Sequence, residues 1–188
     1  MTLISTLLLE IKDCRKCLLA EQRNNSVPGY GSFSADVLFI GEGPGKNEDL
    51  LGKPFVGAAG KLLDKLLDSI DMTRDDIYIT NVVKCRPPNN RDPLKDEVKI
   101  CWSYLERQIR IIKPKLIVTL GRHSMNRFIK DIKISDVHGK GIISDGIWQS
   151  KQMYLPLYHP AAALYDPRKK DILFNDFAQI PIILKTLK

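Results

Sequence analysis

The sequence predicts an α/β fold in which a mostly parallel β-sheet is covered by helices on both faces. Short runs of β-branched, aromatic and leucine residues alternate with segments of helical periodicity, and no repeat or low-complexity linker divides the chain. The length of 188 residues suits one domain, which we expect to cover residues 1–188. Ligands of such folds bind at the carboxyl ends of the strands, so the residues that follow the strands are the first candidates for a functional site.

Four strands and several helices account for this alternation. The predicted strands are Asp36–Ile40, Ile77–Val83, Leu116–Leu120 and Met153–Leu157. The predicted helices are an N-terminal amphipathic segment, apolar stripes over 62–70 and 98–112, a short helix over Ser124–Ile129, and a final helix after Arg168. Pro114 should end the second stripe, and Pro181 should kink or break the final helix. The N-terminal segment lacks a basic start and a cleavage site, so it is not expected to be a signal peptide.

The composition is typical of a soluble globular protein, with 44% hydrophobic and 27% charged residues. No apolar run approaches the roughly 18 residues that a membrane span requires, so we expect a cytoplasmic protein without a membrane partner. The formal net charge is +7, from 29 Lys and Arg against 22 Asp and Glu. Such a surplus is compatible with nucleic-acid binding, but it is equally typical of an ordinary protein surface.

The chain contains four cysteines, Cys14, Cys17, Cys85 and Cys101. Four thiols in a cytoplasmic protein are seldom two disulfides, so ligation of a metal or a cluster is favoured. The two-residue spacing of the first pair lets both sulfurs reach one centre. Four ligands suit either tetrahedral zinc or a [4Fe–4S] cluster, and the spacing does not choose between them.

The first strand ends in a glycine-rich turn, Gly41–Gly45. It does not match the dinucleotide fingerprint, which requires glycine where Lys46 stands. Nor does it match the NTPase phosphate loop, which requires Ser or Thr where Asn47 stands. Glu42 lies within the turn, where a carboxylate would repel a phosphate but would suit a neutral base or a water nucleophile.

Three further residues near strand ends suggest a site for a flat ligand. Phe55 lies between glycines that allow close backbone approach, so it is a candidate stacking platform, although a core phenylalanine is an equally good interpretation. Asn81 offers a planar amide that matches the edge of a nucleobase. His159 precedes a proline, and a neutral imidazole can donate a hydrogen bond to an oxygen that gains negative charge.

In their order along the chain these segments resemble the family 4 uracil-DNA glycosylases, which are iron–sulfur enzymes. The matching segments are Cys14–Cys17, Gly41–Gly45 with Glu48 and Asp49, Gly52–Gly60, Asn81–Pro93, Cys101, Leu120 with Gly121, and His159–Ala162. Each motif alone is weak, whereas the ordered set is specific and covers most of the chain. The resemblance implies a three-layer uracil-DNA glycosylase-like fold with a four-stranded parallel sheet flanked by helices. It also implies a structural [4Fe–4S] cluster on the four cysteines.

The implied activity is monofunctional hydrolysis of the N-glycosidic bond of deoxyuridine in DNA, the first step of base excision repair. The resemblance implies that the backbone of Gly41, Glu42 and Gly43 lines the uracil pocket. It further implies that Phe55 stacks on the base and that Asn81 binds its polar edge.

The resemblance implies roles for three side chains in substrate specificity and catalysis. Glu48 would stand near C5 of uracil and exclude the methyl group of thymine. His159 would bond to O2 of the departing uracil anion, and Glu42 would be required for activity. Related families carry an acidic or amide residue where Gly43 stands and use it to orient water. Glycine cannot do so, and we take Glu42 as the candidate for that task.

Contacts with DNA are predicted from charge and position. The expected phosphate contacts are Lys46, Lys84, Arg86 and Arg91, and the residues expected to fill the gap left by a flipped nucleotide are Leu164 and Tyr165. We expect a monomer that acts on single- or double-stranded DNA, with a sliding clamp as a further partner to consider. The segment Arg122–Ser124 is more polar than the resemblance leads us to expect.

Two alternatives remain open from the sequence. A zinc-stabilised nucleic-acid-binding module without catalysis would fit the cysteines and the positive charge, and it would be colourless. A hydrolase of the same superfamily could instead act on xanthine or hypoxanthine, because the implied role of Glu48 argues only against thymine.

Overall fold

The computed structural model describes residues 3–146 and 151–187. The strands in these ranges are β1 Tyr30–Gly31, β2 Val37–Gly41, β3 Ile77–Asn81, β4 Leu116–Leu120, β5 Ile142–Asp145 and β6 Lys151–Leu157. The helices are α1 Leu3–Asp13, α2 Leu19–Gln22, α3 Lys46–Leu51, α4 Ala58–Asp68, α5 Lys95–Ile112, α6 Arg122–Met125, α7 Ile134–Val137, α8 Ala162–Tyr165, α9 Arg168–Phe177 and α10 Gln179–Thr186. Among the helices so described, none is long and apolar enough to cross a membrane.

The strands form one sheet in the order β1-β3-β2-β4-β6-β5. The inner four strands run parallel, whereas β1 and β5 pair antiparallel at the two edges. The predicted mostly parallel α/β fold is therefore confirmed, and the four parallel strands correspond to the four predicted runs. The sheet has six strands rather than four because of its edges. Since β1 has two residues and β5 is partly or fully exposed throughout, neither edge shows an apolar run.

Both faces of β2, β3 and β4 are buried, which explains their largely apolar sequence, and in β6 the last four residues are buried. Successive side chains of β2 point to opposite sides, because a strand has a period of two residues. Leu38 and Ile40 pack with α1 and α5, whereas Val37 and Phe39 pack with α4, α9 and α10. The core is thus divided by the sheet into two layers, each closed by helices that the apolar stripes predicted.

The helix ends follow the proline positions only in part. The second stripe ends as predicted, with Lys113 in the left-handed region (φ 53°) directly before Pro114. In the C-terminal segment the break lies at Ala178, between α9 and α10. The prediction of a break at Pro181 is therefore wrong. Pro181 is the third residue of α10, where its missing N–H removes no intrahelical hydrogen bond.

The strand order places a crevice at the carboxyl end of β2. The chain passes from β2 to β3 on one side and later to β4 on the other, so this end is the topological switch point of the sheet. Gly41 is paired in register with Asn81 on β3. The pairing continues past the strands, because the N–H groups of Val82 and Val83 donate to the carbonyls of Gly41 and Glu42.

Replacing the fully buried Leu63 of α4 by alanine should lower the free energy of unfolding by about 2–5 kcal/mol, because the change leaves a cavity against the sheet. The matched control is Leu51→Ala on α3, where the side chain is 64% exposed and the expected change is within about 0.5 kcal/mol. Urea denaturation followed by circular dichroism measures both values. Equal losses in the two variants would contradict the packing of α4 described above.

Candidate active site

A cavity of about 380 Å³ opens at the carboxyl ends of the inner strands. This volume lies in the range of small-molecule binding sites. Glu42, Glu48, Phe55, Asn81 and His159 line it, although they lie far apart in the sequence. The structure thus gathers these predicted pocket residues in one place.

Gly41 lies directly behind the cavity wall. A β-carbon at this position would collide with Oδ1 of Asn81 and would stand 2.9 Å from Cζ of the Phe55 ring. Gly43, which lines the cavity, is similarly close to Val83, since a β-carbon there would lie 2.9 Å from Cγ2. Both glycines are therefore required for close approach between the turn and its neighbours.

Phe55 is held in a strained conformation at the wall of the cavity. Its φ of 52° lies in the left-handed region, which is unfavourable for a bulky side chain. Arg74 holds this segment by donating from Nη1 to the Pro54 carbonyl (3.0 Å) and from Nη2 to the Phe55 carbonyl (2.5 Å). The ring is stacked on the imidazole of His159, with centroids 5.5 Å apart. The sequence did not indicate Arg74, because it lies outside the motifs and binds backbone carbonyls that are remote in sequence.

Asn81 presents an unsatisfied acceptor to the cavity. The residue is 2% exposed, and its Oδ1 has no hydrogen-bond partner. Leaving such a buried group unpaired costs about 1–3 kcal/mol. A buried polar atom without a partner at a cavity wall is typical of a site that a ligand completes.

His159 is a neutral hydrogen-bond donor in this setting. The backbone N–H of Ala161 donates to Nδ1 at 3.1 Å, so the imidazole carries its proton on Nε2. Burial lowers the pKa of His159 to about 4, and the nearby Glu48 carboxylate opposes this shift only in part. At neutral pH the imidazole is therefore uncharged.

The two carboxylates of the cavity are held differently. Oε1 of Glu48 accepts hydrogen bonds from the backbone N–H groups of Val56 (2.8 Å) and Gly57 (3.0 Å), which fixes it at the start of α4. Oε1 of Glu42 is buried without a hydrogen-bond partner. Burial raises the pKa of Glu42, and this effect is partly opposed by the charge of a protonated His123.

The imidazole of His123 and the carboxylate of Asp92 both lie close to Glu42. Nδ1 of His123 lies 3.5 Å from Oε1 of Glu42, and Nε2 lies 3.6 Å from Oδ2 of Asp92. Their ligand atoms fall within 4.8 Å of one another. Because the Arg122 guanidinium donates to Nε2 of the same imidazole at 3.1 Å, we interpret the group as a hydrogen-bonding array rather than a cation site. The sequence indicated His123 only as a polar departure from the resembling family.

The four cysteines line a second cavity, on the opposite side of the sheet from α4. Arg23 donates to Sγ of Cys85 at 2.8 Å, and the backbone N–H of Lys84 donates to Sγ of Cys101 at 3.3 Å. Both donors would stabilise thiolate ligands. The donor set is therefore suited to a thiolate-bound metal centre.

The predicted DNA contacts fall into three groups. Lys84 is buried, and its ammonium donates to Thr80 Oγ1 (2.7 Å) and to the carbonyl of Asn81 (2.6 Å), so its prediction as a phosphate contact is wrong. Lys46 is exposed, Arg86 bonds to Asn90, and Arg91 pairs with Glu97 through two hydrogen bonds. Leu164 and Tyr165 on α8 are 48% and 89% exposed, close in sequence to His159.

Comparison with known proteins agrees with this geometry. The model of the uracil DNA glycosylase superfamily matches residues 28–180. The chain is 49% identical to a type-4 uracil-DNA glycosylase of Saccharolobus solfataricus over 91% of this chain and 82% of that one. It is 49% identical to that of Archaeoglobus fulgidus (91% and 88% covered) and 43% identical to that of Thermotoga maritima (82% and 79% covered). The chain therefore belongs to the uracil-DNA glycosylase superfamily and, within it, to the type-4 uracil-DNA glycosylases.

Proposed function

We propose that the chain hydrolyses the N-glycosidic bond of deoxyuridine in DNA and leaves an abasic site, with Glu42 and His159 as its catalytic residues. The observation that supports this most directly is the unpaired, buried Oδ1 of Asn81 in a cavity walled by an aromatic ring and an imidazole. An N–H group of a flat, neutral base would supply the missing hydrogen bond. The membership in the type-4 uracil-DNA glycosylases supports uracil as that base.

Uracil would enter the cavity after rotation out of the DNA stack, which costs a few kcal/mol. Oδ1 of Asn81 would accept from N3–H of uracil, and its amide group would donate to O4. The ring of Phe55 would cover one face of the base, with the backbone of Gly41 and Gly43 giving room at its edge. Glu48, fixed by two backbone N–H groups, would occupy the space that a thymine methyl group needs.

Cleavage of the bond leaves negative charge on the departing base, and His159 would stabilise it. Its proton is on Nε2, because Nδ1 already accepts from Ala161. A donor that is fixed before the reaction needs no reorganisation when O2 of uracil becomes charged. The stacked ring of Phe55 keeps the imidazole in this orientation.

Glu42 would position the water that attacks C1′ of the sugar. It lies in the turn after β2, and its backbone carbonyl is tied to the N–H of Val83. Gly43 has no side chain to do this task. No lysine lines the described part of the cavity, which supports hydrolysis by water rather than a Schiff-base intermediate.

Wild-type protein should release uracil from a uracil-containing oligonucleotide, leave thymine in a mismatch untouched, and yield strand breaks only after alkaline treatment.

His159→Ala should slow single-turnover excision by about 10²–10³-fold, because a preorganised donor to the leaving base is lost. Glu42→Gln should slow it by about 10²–10⁴-fold, because the base that orients and activates water is lost. Gel electrophoresis of labelled oligonucleotides measures each rate.

Two variants serve as matched controls for these measurements. His138, which bonds to Asp176 outside the cavity, controls for loss of an imidazole, and the exposed Glu21 controls for loss of a carboxylate. His138→Ala and Glu21→Gln should excise uracil at the wild-type rate. Wild-type rates in His159→Ala or Glu42→Gln would remove that residue from the proposed mechanism, and an inactive wild type would contradict the function.

The low pKa of His159 should make the protein less stable as the pH falls from 6.5 to about 4. In this window the unfolded chain binds a proton on the imidazole, whereas the folded protein does not, so protonation favours unfolding. The shift corresponds to about 3 kcal/mol. The stability of wild type relative to His159→Asn should therefore fall by about that amount between pH 7 and 4 and stay constant above pH 7. Urea denaturation across this range measures the difference, and parallel curves would contradict the proposed burial of a neutral imidazole.

We further propose that Cys14, Cys17, Cys85 and Cys101 hold a [4Fe–4S] cluster. All four residues line one cavity. The membership in the type-4 uracil-DNA glycosylases, a family that the resemblance describes as iron–sulfur enzymes, supports a cluster rather than zinc. A bound cluster would cross-link the segment between α1 and α2, helix α5 and the segment after β3.

Purified protein should be brown and contain about four iron atoms per chain. Cys85→Ser should reduce the iron content and lower the midpoint of thermal unfolding, because one of the cross-links is lost. Iron and zinc analysis, visible absorption and thermal denaturation measure these effects, with His138→Ala as the control that keeps the cluster. A colourless protein with one zinc per chain would contradict the cluster.

Exposed residues around the cavity would bind the DNA. The exposed Lys46 and the partly exposed Arg86 would contact phosphates, while Leu164 or Tyr165 would fill the gap left by the rotated nucleotide. Arg91 would contribute less, since its guanidinium is neutralised by Glu97. The single-domain organisation, monomeric state, cytoplasmic location and sliding-clamp partner stay predictions.

A further inference from the structure

The short helix α6 is fastened over the end of β2, and this attachment places His123 beside Glu42. The hydroxyl of Ser124 donates to the carbonyl of Ile40 at 2.6 Å, and the N–H of Met125 donates to the carbonyl of Gly121 at 3.0 Å. Ser124 is completely buried. The neighbouring His123 is therefore held by the same framework that holds the catalytic turn.

The hydrogen bonds of His123 determine which nitrogen faces Glu42. Arg122 donates from Nε to Nε2 of His123 at 3.1 Å, so Nε2 acts as the acceptor. A neutral imidazole then carries its proton on Nδ1, the nitrogen that lies 3.5 Å from Oε1 of Glu42. This separation is a few tenths of an ångström longer than a hydrogen bond, and catalytic hydrogen bonds commonly shorten when substrate binds.

The carboxylate of Glu42 has an oxygen that lacks a hydrogen-bond donor. Its Oε1 is buried and has no hydrogen-bond partner among the described residues. Four charged or titratable groups face it. His123, Arg122 and Arg127 lie on α6 and the turn that follows, and Asp92 lies on the loop before α5. Of these groups, His123 is placed with a donor nitrogen toward Oε1, whereas Arg122 donates to His123 itself.

We propose that His123 is a positioning residue for uracil excision, which donates from Nδ1 to Oε1 of Glu42 and so directs the other carboxylate oxygen toward the attacking water. The proposal rests on the proposed function, in which Glu42 orients that water. Oδ2 of Asp92 lies 3.6 Å from Nε2 of the same imidazole. His123 would thereby orient Glu42, while Gly43, the next residue in the turn, has no side chain that could orient the water itself.

The variants His123→Ala and His123→Asn separate this role from a structural one. Alanine removes the donor, and the saturating single-turnover rate should fall by about 10- to 100-fold, the effect of one hydrogen bond to a charged group. The asparagine amide can place an N–H near the position of Nδ1, so His123→Asn should recover most of the rate. Thermal unfolding and circular dichroism verify that both variants are folded, and EDTA in the assay removes any divalent cation.

The pH dependence supplies a readout that a structural role would not change. Loss of the Nδ1 donor should raise the pKa of Glu42, because a group that favours its charged form is removed. The acid limb of the rate profile should therefore move to higher pH in His123→Ala and stay near its wild-type position in His123→Asn. His138→Ala, which removes an imidazole elsewhere, should leave the profile unchanged.

A double variant distinguishes the possible outcomes. In the Glu42→Gln background, His123→Ala should cause less than a threefold further loss, because both changes act on the same carboxylate. A normal saturating rate in His123→Ala with weaker DNA binding would overturn the proposal and make His123 a phosphate contact. Losses that multiply in the double variant would also overturn it. If Glu42→Gln alone has no effect, the role of Glu42 in the proposed function fails, and the role of His123 fails with it.

Discussion

The close approach of the β2 turn to its neighbours is the constraint on which the site depends. Parallel pairing puts Gly41 beside Asn81, and the space between their backbones is then shared with the ring of Phe55. Any side chain at Gly41 would displace the amide or the ring. The register of two buried strands therefore sets both the floor of the cavity and the position of the group that would read the base. His159 completes the wall, because β6 ends at the same edge of the sheet.

The site concentrates features that oppose folding. Asn81 and Glu42 each bury an oxygen without a hydrogen-bond partner, and Phe55 has a left-handed backbone. Such features persist only where the surroundings impose them. Here the surroundings are a sheet buried on both faces and Arg74, which binds the carbonyls on either side of the strained peptide. Binding of a base would supply partners that the protein itself withholds, so the unfavourable groups favour occupation of the cavity.

The sequence predicted what depends on local pattern and missed what depends on tertiary contact. Buried strands form continuous apolar runs and amphipathic helices have a helical period, and both can be read directly. The rule for strand ends placed Asn81 and His159 at one edge. The edge strands have no apolar run, because β1 has two residues and β5 is partly or fully exposed along its length. Arg74 and His123 contact atoms that are remote in sequence. Pro181 lies in the first turn of α10, and helix propensity alone does not distinguish the first turn of a helix from its interior. Strand pairing and helix attachment decide these positions.

Lys84 shows how the two cavities are connected and why charge alone was misleading. A lysine after a strand is usually exposed, but here burial lowers its pKa to about 7 and its ammonium binds the carbonyl of Asn81 at 2.6 Å. Its backbone N–H donates to Cys101, and the next residue is Cys85. Four residues after Asn81 the chain is thus anchored in the cysteine cavity. A centre bound by the four sulfurs would also hold this short segment, so the backbone position of Asn81 would then depend on the cysteine cavity.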